Sequence, residues 1–201
     1  MKHFLFKDRD GRTPLDPHFK KDLTSKYARI QLGGELDEAE ENNIIDGLIW
    51  LEDQKEDPKD WMFWEKLHKN LFKQVWKWAG KFRRHELMND EFNHPGHIQQ
   101  NIKKLEGDLK YWLLSEAKMN PKEAMARFHE GLLTIHPFAN GNGRTSRILT
   151  ECICKHEGIQ IPTWGTGLKT SPSNHRQAYI AAIAKARRHK EFSDLVKFMF
   201  G

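Results

Sequence analysis

Residues 136–147 read HPFANGNGRTSR: a histidine, a glycine–asparagine–glycine step, then two arginines three residues apart. None of these is a natural filler for a hydrophobic core. Glycine opens backbone amides to close approach because it carries no Cβ. Just ahead of a helix, such amides and the helix dipole form a nest for an anion. Arg144 and Arg147 share one helical face near that positive end. Two guanidinium groups placed there repel one another, and a polyphosphate relieves the repulsion. His136 stands at the other end of the loop, closing the preceding helix. An imidazole with its ordinary pKa can take a proton from an attacking hydroxyl. Pro137 stiffens the exit from that helix, and Phe138 reads as a buried anchor. The expectation is a base beside a polyphosphate cradle, the layout for moving a phosphate-linked group onto a hydroxyl. The plain structural alternative is a capped helix–loop–helix with solvated arginines.

Helical spacing flanks the motif on both sides. Asn120-Pro121 with Glu123 marks a helix start, and Ala124, Phe128, Leu132 and Ile135 carry it to the histidine. A helix over 141–157 follows, stopped by Gly158, with others from Ser173 through Ala186 and over 192–200. Upstream, Ile98, Ile102, Leu105, Leu109 and Trp112 recur at helical intervals. Trp61 to Ala79 reads as one helix with Trp64, Leu67, Leu71, Phe72 and Val75 on its apolar side and Gly80 after its end. Asp37 with Glu40 resembles a capping box, opening a helix lined by Ile44, Ile45, Leu48, Ile49 and Leu51. QKEDPKD around Pro58 breaks that helix. Residues 81–97 change character and, with the turn pair Asn89-Asp90, fit a short hairpin or loop. The first 35 residues, with Gly11, Pro14, Pro17, Gly33 and Gly34, read as an extended arm. The sum is an all-α chain with one small β-hairpin.

The bulk figures agree with a single folded domain and a small appendage. The chain has 201 residues, 38% hydrophobic and 30% charged, so it has material for a core. A net charge of +5 suits an anionic ligand, but 28 acidic residues interspersed among 33 basic ones leave no dedicated nucleic-acid face. The two cysteines, Cys152 and Cys154, exclude a disulfide framework. No secretory signal and no membrane-spanning run is evident, so a cytoplasmic protein is expected. Cys152, Cys154 and His156 do not read as a zinc site, because helical residues two apart point roughly 200° apart. His94, His97 and His129 lack a partner set for metal, and the aromatic run from Trp61 to Trp78 reads as core.

The string at 136–147 resembles the pattern HPFx(D/E/N)GNGRxxR of the Fic family of nucleotidyltransferases. Leu71-Phe72 and the segment Val75 to Arg83 are similar to that family's stretch before its hairpin, and the tail from Tyr179 to Leu195 is similar to its closing helices. The resemblance covers about residues 60–200. The N-terminal region and Asn140 also resemble a small bacterial branch labelled mobile mystery protein B. The resemblance implies a Fic fold: a helical bundle with a β-hairpin flap at 82–92, which aligns a target segment by strand pairing. It divides the chain into an arm and inhibitory helix at 1–57 and a Fic core at 58–201.

The same resemblance implies roles. His136 would deprotonate a Ser, Thr or Tyr hydroxyl of a target protein, and the oxygen would take AMP from ATP. Gly141, Asn142 and Gly143 would cradle the phosphates, and Arg144 and Arg147 would hold the β and γ groups. Mg²⁺ would be ligated at the position of Asn140, where members often carry Asp or Glu and where a neutral amide brings less charge. Asn174 and Tyr179 fall where members contact adenine. Many members carry an inhibitory helix [S/T]xxxE[G/N]; here Asp37 to Asn42 supplies Glu41-Asn42, with Asp37 at the Ser/Thr position. Glu41 would pair with Arg147 and keep the enzyme off; the plain alternative is an acidic first turn favourable to the helix dipole. Open beside transfer stand removal of AMP from protein, transfer of another phosphate-linked group, and a nucleotide-binding regulator with weak turnover. The partners implied are ATP, a protein with a hydroxyl side chain and a regulatory protein, with no membrane.

Overall fold

The helix that ends at the motif packs against four others. In the computed structural model, which describes residues 21–28, 33–87, 91–168 and 170–201, this helix spans Pro121–Ile135. Among the described residues it is the fourth of seven: α1 Gly33–Glu52, α2 Trp61–Phe72, α3 Ile98–Trp112, α4 Pro121–Ile135, α5 Asn142–His156, α6 Pro172–His189 and α7 Ser193–Phe200. Asn120 caps α4 by accepting the Lys122 N–H, and Pro121 occupies the first turn, where a missing N–H costs nothing. Ala124, Met125, Phe128, Leu132 and Ile135 are buried, and α4 packs against α3, α5, α6 and α7. Phe128 meets Trp64 edge-on at 5.2 Å, and the Trp64 indole N–H donates to the Pro58 carbonyl.

The chain resolves into two compact units. One holds the described residues of the N-terminal segment to Lys55 together with Glu65–Lys81; the other holds Glu56–Trp64 and Phe82–Gly201. In the first unit, α1 starts at Gly33, four residues before the expected capping box, so Asp37 lies inside the helix. Burial of Leu36 and Ala39 extends the apolar face one turn earlier and explains the longer helix. That face continues through Asn43, Ile44 and Gly47, while Ile45 and Ile49 are exposed at 47% and 61%. A Cβ at Gly47 would lie 2.9 Å from the Asn70 carbonyl oxygen and the Leu71 Cα, so α1 and α2 cross where only glycine fits.

The helix expected through Ala79 stops at Phe72. Residues 75–77 pair instead with the arm: Thr24 N–H donates to Val75, Lys77 N–H donates to Asp22, and Leu23 and Trp76 form an antiparallel bridge. With the Lys77 N–H given to Asp22 and the Val75 carbonyl accepting from Thr24, the helical ladder does not run on past the bond from the Trp76 N–H to the Phe72 carbonyl. Gly80, at φ 77°, ends this turn rather than a helix, and its N–H donates to Nδ1 of His68. Of the arm, the described part includes a 3₁₀ turn at Ser25–Tyr27; Gly11, Pro14 and Pro17 lie outside the described residues.

No strand ladder forms among the described residues of the expected flap, whose turn at 88–90 lies outside them. Phe82 makes an antiparallel bridge to Phe138 of the motif, and the Arg83 N–H donates to the Pro137 carbonyl. The limb entering the flap is thus stitched to the loop that follows α4. No described helix is long and apolar enough to cross a membrane.

Candidate active site

The loop between α4 and α5 is closed by one side chain. Asn142 Oδ1 accepts the Phe138 N–H at 2.9 Å and its Nδ2 donates to the Phe138 carbonyl at 2.8 Å. The side chain of Asn142 is thus committed to closing the loop. Gly141 turns the chain through φ 78°, which a side chain would strain. The helix α5 has no side-chain cap, and the Thr145 N–H is bonded back to Gly141. The N–H groups of Asn142, Gly143 and Arg144 precede that bond and have no intrahelical partner. A Cβ at Gly143 would meet nothing within 4 Å, so glycine there is not demanded by the protein's own packing. These three N–H groups lie where the sequence places its expected amide nest.

His136 caps α4 in the left-handed region, at φ 49° and ψ 59°. Histidine tolerates this conformation better than most residues, but the position is still unusual for a side chain. The Arg83 guanidinium holds it: Nε donates to the His136 carbonyl at 2.7 Å, and Nη1 and Nη2 reach the carbonyls of His85 and Asn93. His136 Nδ1 lies 3.2 Å from the Leu133 carbonyl. A carbonyl only accepts, so Nδ1 carries the proton and Nε2 keeps the lone pair. Among the described residues Nε2 has no hydrogen-bond partner. Burial pushes the imidazole down to about 4, and the charges of Arg83 and Arg187 press the same way against the Leu133 bond. The sequence predicted an ordinary pKa; the folded chain keeps this base neutral far below pH 7.

Arg144 and Arg147 both sit in the first two turns of α5. Burial lowers the Arg147 pKa, and Arg144 adds to the lowering while Tyr179 and Glu151 oppose it. The mutual repulsion read from the sequence is present. Beneath Arg147 lies a polar layer that sequence spacing does not reveal. Arg147 sits over the Tyr179 ring at 6.0 Å, the Tyr179 hydroxyl meets His129 Nε2 at 2.7 Å, and His129 Nδ1 meets Ser146 Oγ at 2.8 Å. His129 is fully buried, and burial with the charge of Arg147 pushes it down to about 3. A neutral imidazole there supports the arginine without adding charge.

Asn140 Oδ1 accepts the Gly141 N–H at 2.6 Å. Among the described residues no group of three His, Cys, Asp or Glu side chains could hold a metal ion. What the loop offers magnesium is thus one neutral amide oxygen, a fit for an ion that arrives on a triphosphate. Glu41 lies half-buried on α1 in the first unit, next to Glu40, whose carboxylate accepts the Trp76 indole N–H at 2.6 Å.

Residues 63–154 match the model of the Fic/DOC family. The chain is 27% identical over 103 residues to a protein of Escherichia coli K12 named "Probable protein adenylyltransferase Fic", covering 49% of this chain and 52% of that one. It is 32% identical over 101 residues to the protein adenylyltransferase VbhT of Bartonella schoenbuchensis, covering 48% and 21%. The chain therefore spans about half or less of the length of these curated relatives. In fold it is similar to the BepC effector protein of Bartonella tribocorum, solved with bound AMPPNP: TM-score 0.66, 20% identity, 88% of this chain and 90% of that one. The helices that frame the loop between α4 and α5 fall within or reach into residues 63–154, the stretch that is similar to the Fic/DOC family.

Proposed function

We propose that this site is a protein adenylyltransferase. ATP sits with its phosphates on the amides of residues 142–144 and its β and γ groups on Arg144 and Arg147. A Ser, Thr or Tyr hydroxyl of a target protein gives its proton to Nε2 of His136 as its oxygen attacks the α-phosphorus. The bond to the bridging oxygen breaks, pyrophosphate leaves, and AMP remains esterified to the target. The observation that carries this reading is an Nε2 without a partner among the described residues, on a neutral, Nδ1-tethered imidazole, across a six-residue loop from a helix start with no side-chain cap. The negative charge of a bound triphosphate raises the proton affinity of His136, opposing Arg83 and Arg187, and brings a weak base toward the working range. The adenylyltransferase names of the relatives support the same chemistry. Magnesium accompanies the triphosphate; Asn140 would hold it, and it supplies neutralisation of phosphate charge. The flap residues 82–92 would align the target segment by backbone pairing.

Glu41 acts in this reading as a brake by pairing with Arg147 and taking the place of the γ-phosphate. Its neighbour Glu40 is committed to Trp76, which leaves Glu41, about 100° further round α1, for that role. The experiment is labelling with ATP carrying a labelled α-phosphate, with cell lysate as a source of targets. Label on protein that vanishes in His136→Ala supports transfer, and stronger labelling by Glu41→Gly supports the brake. ATP binding without label, even from Glu41→Gly, would replace the enzyme with a nucleotide-binding regulator.

A further inference from the structure

The imidazole of His136 is held by groups outside the motif. The Phe92 ring stacks on it, with centroids 3.9 Å apart and planes 28° from parallel. The Arg187 guanidinium lies over the same Phe92 ring, 6.0 Å from its centroid. Arg187 is itself anchored to α4, donating from Nε to Thr134 Oγ1 at 2.8 Å and to Glu130 Oε1 at 3.2 Å. Its Nη1 donates to Glu91 Oε2 at 2.7 Å, and Arg188 donates to the other Glu91 oxygen at 3.3 Å. On the far side of Phe92, the Asn93 N–H donates to the Thr134 carbonyl at 3.2 Å. Both neighbours of this aromatic residue are thus fastened, one to α6 and one to α4. Phe92 is half-buried rather than a core residue.

We propose that Phe92, fixed by the Glu91–Arg187 pair, is a positioning residue that holds the His136 ring so that Nε2 faces the acceptor hydroxyl. The reason lies in what else restrains the ring. The terminal torsion of a histidine is broad, and a single Nδ1 hydrogen bond of 3.2 Å leaves the ring free to rock about that contact. A stacked aromatic removes that freedom and excludes water from one face. Phe92 also ends the segment on which the target is expected to pair, so a target on residues 82–92 bears directly on the orientation of the base. This inference rests on the proposed transfer reaction, and its test separates the two.

The measurement pairs steady-state transfer with the titration of His136 by NMR, its resonance identified as the one lost in His136→Ala. Arg83 and Arg187 are the charged groups facing this imidazole, with Glu91 and Glu130 neutralising Arg187. In Phe92→Ala, kcat falls by about tenfold or more while the KM for ATP stays within about twofold. The His136 titration rises from about 4 toward the ordinary value of about 6.5, and the acid limb of the pH–rate profile moves with it. Phe92→Tyr, which keeps the stack, retains kcat within about threefold. Arg187→Gln gives a partial form of the Phe92→Ala effect. Phe92→Ala with wild-type kcat and an unmoved titration overturns the proposal, as does a Phe92→Tyr protein as impaired as Phe92→Ala. A wild-type protein that transfers nothing would sink the adenylylation reading, while the titration of Phe92→Ala would still decide the stack.

Discussion

Replacing Gly143 by alanine separates what the fold needs from what the ligand needs. Gly143 is the second residue of α5, and an added Cβ meets no protein atom within 4 Å. Exchanging glycine for alanine in a helix is favourable by about 0.5–1 kcal/mol, because alanine has less backbone freedom to lose. For a chain of this size that raises the melting temperature by roughly 1–4 °C. The ligand meets the opposite effect. A helical Cβ leans toward the helix N-terminus, so the new methyl projects toward the amide end where the phosphate is held. Losing one charge-assisted hydrogen bond from a backbone N–H costs about 1.5–3 kcal/mol, which weakens ATP binding by roughly 10- to 150-fold. The assays are calorimetric melting without nucleotide and isothermal titration with a non-hydrolysable ATP analogue. A variant that melts higher and binds the analogue as tightly as wild type would refute the claim that phosphate sits on this amide.

Other perturbations test the surrounding framework. His136 and His129 are held near 4 and 3, so the unfolded chain takes up protons first as the pH falls. Their contribution to stability is complete above about pH 6.5 and drains away below it, at up to about 1.4 kcal/mol per pH unit for each histidine. Urea midpoints from pH 7.5 to 4.5 should follow that slope, and His129→Gln should flatten it. Arg83→Met removes the buried guanidinium that gathers the carbonyls of His136, His85 and Asn93, and should lower stability by about 3 kcal/mol in urea unfolding. Transfer should then fall further than the loss of folded protein explains. Asn140→Asp adds a charge to the position proposed for magnesium and should lower the half-saturating Mg²⁺ concentration by about tenfold, read as the metal dependence of ATP binding.

The sequence alone was enough for the helices α3, α4 and α5, because their apolar residues recur at helical spacing and their ends carry local signals such as Asn120-Pro121 and Gly158. The residues of the expected nest were legible too, since the glycines, the helix start and the paired guanidinium groups are neighbours along the chain. The end of α2 was not legible: its apolar pattern runs on to Ala79, and only pairing of residues 75–77 with 22–24, some fifty positions away, draws the backbone out of the helix. His136 was legible as a candidate base, but its proton affinity was not, because that depends on burial and on Arg83 and Arg187. Phe92 gave no signal in its polar segment, and the ion pair that fixes its neighbour joins residues 96 positions apart. Local spacing encodes which groups are present and which helices carry them. Desolvation and orientation come from groups that meet only in the folded chain, so the tertiary structure alone decided how this histidine is held and at what pH it is neutral.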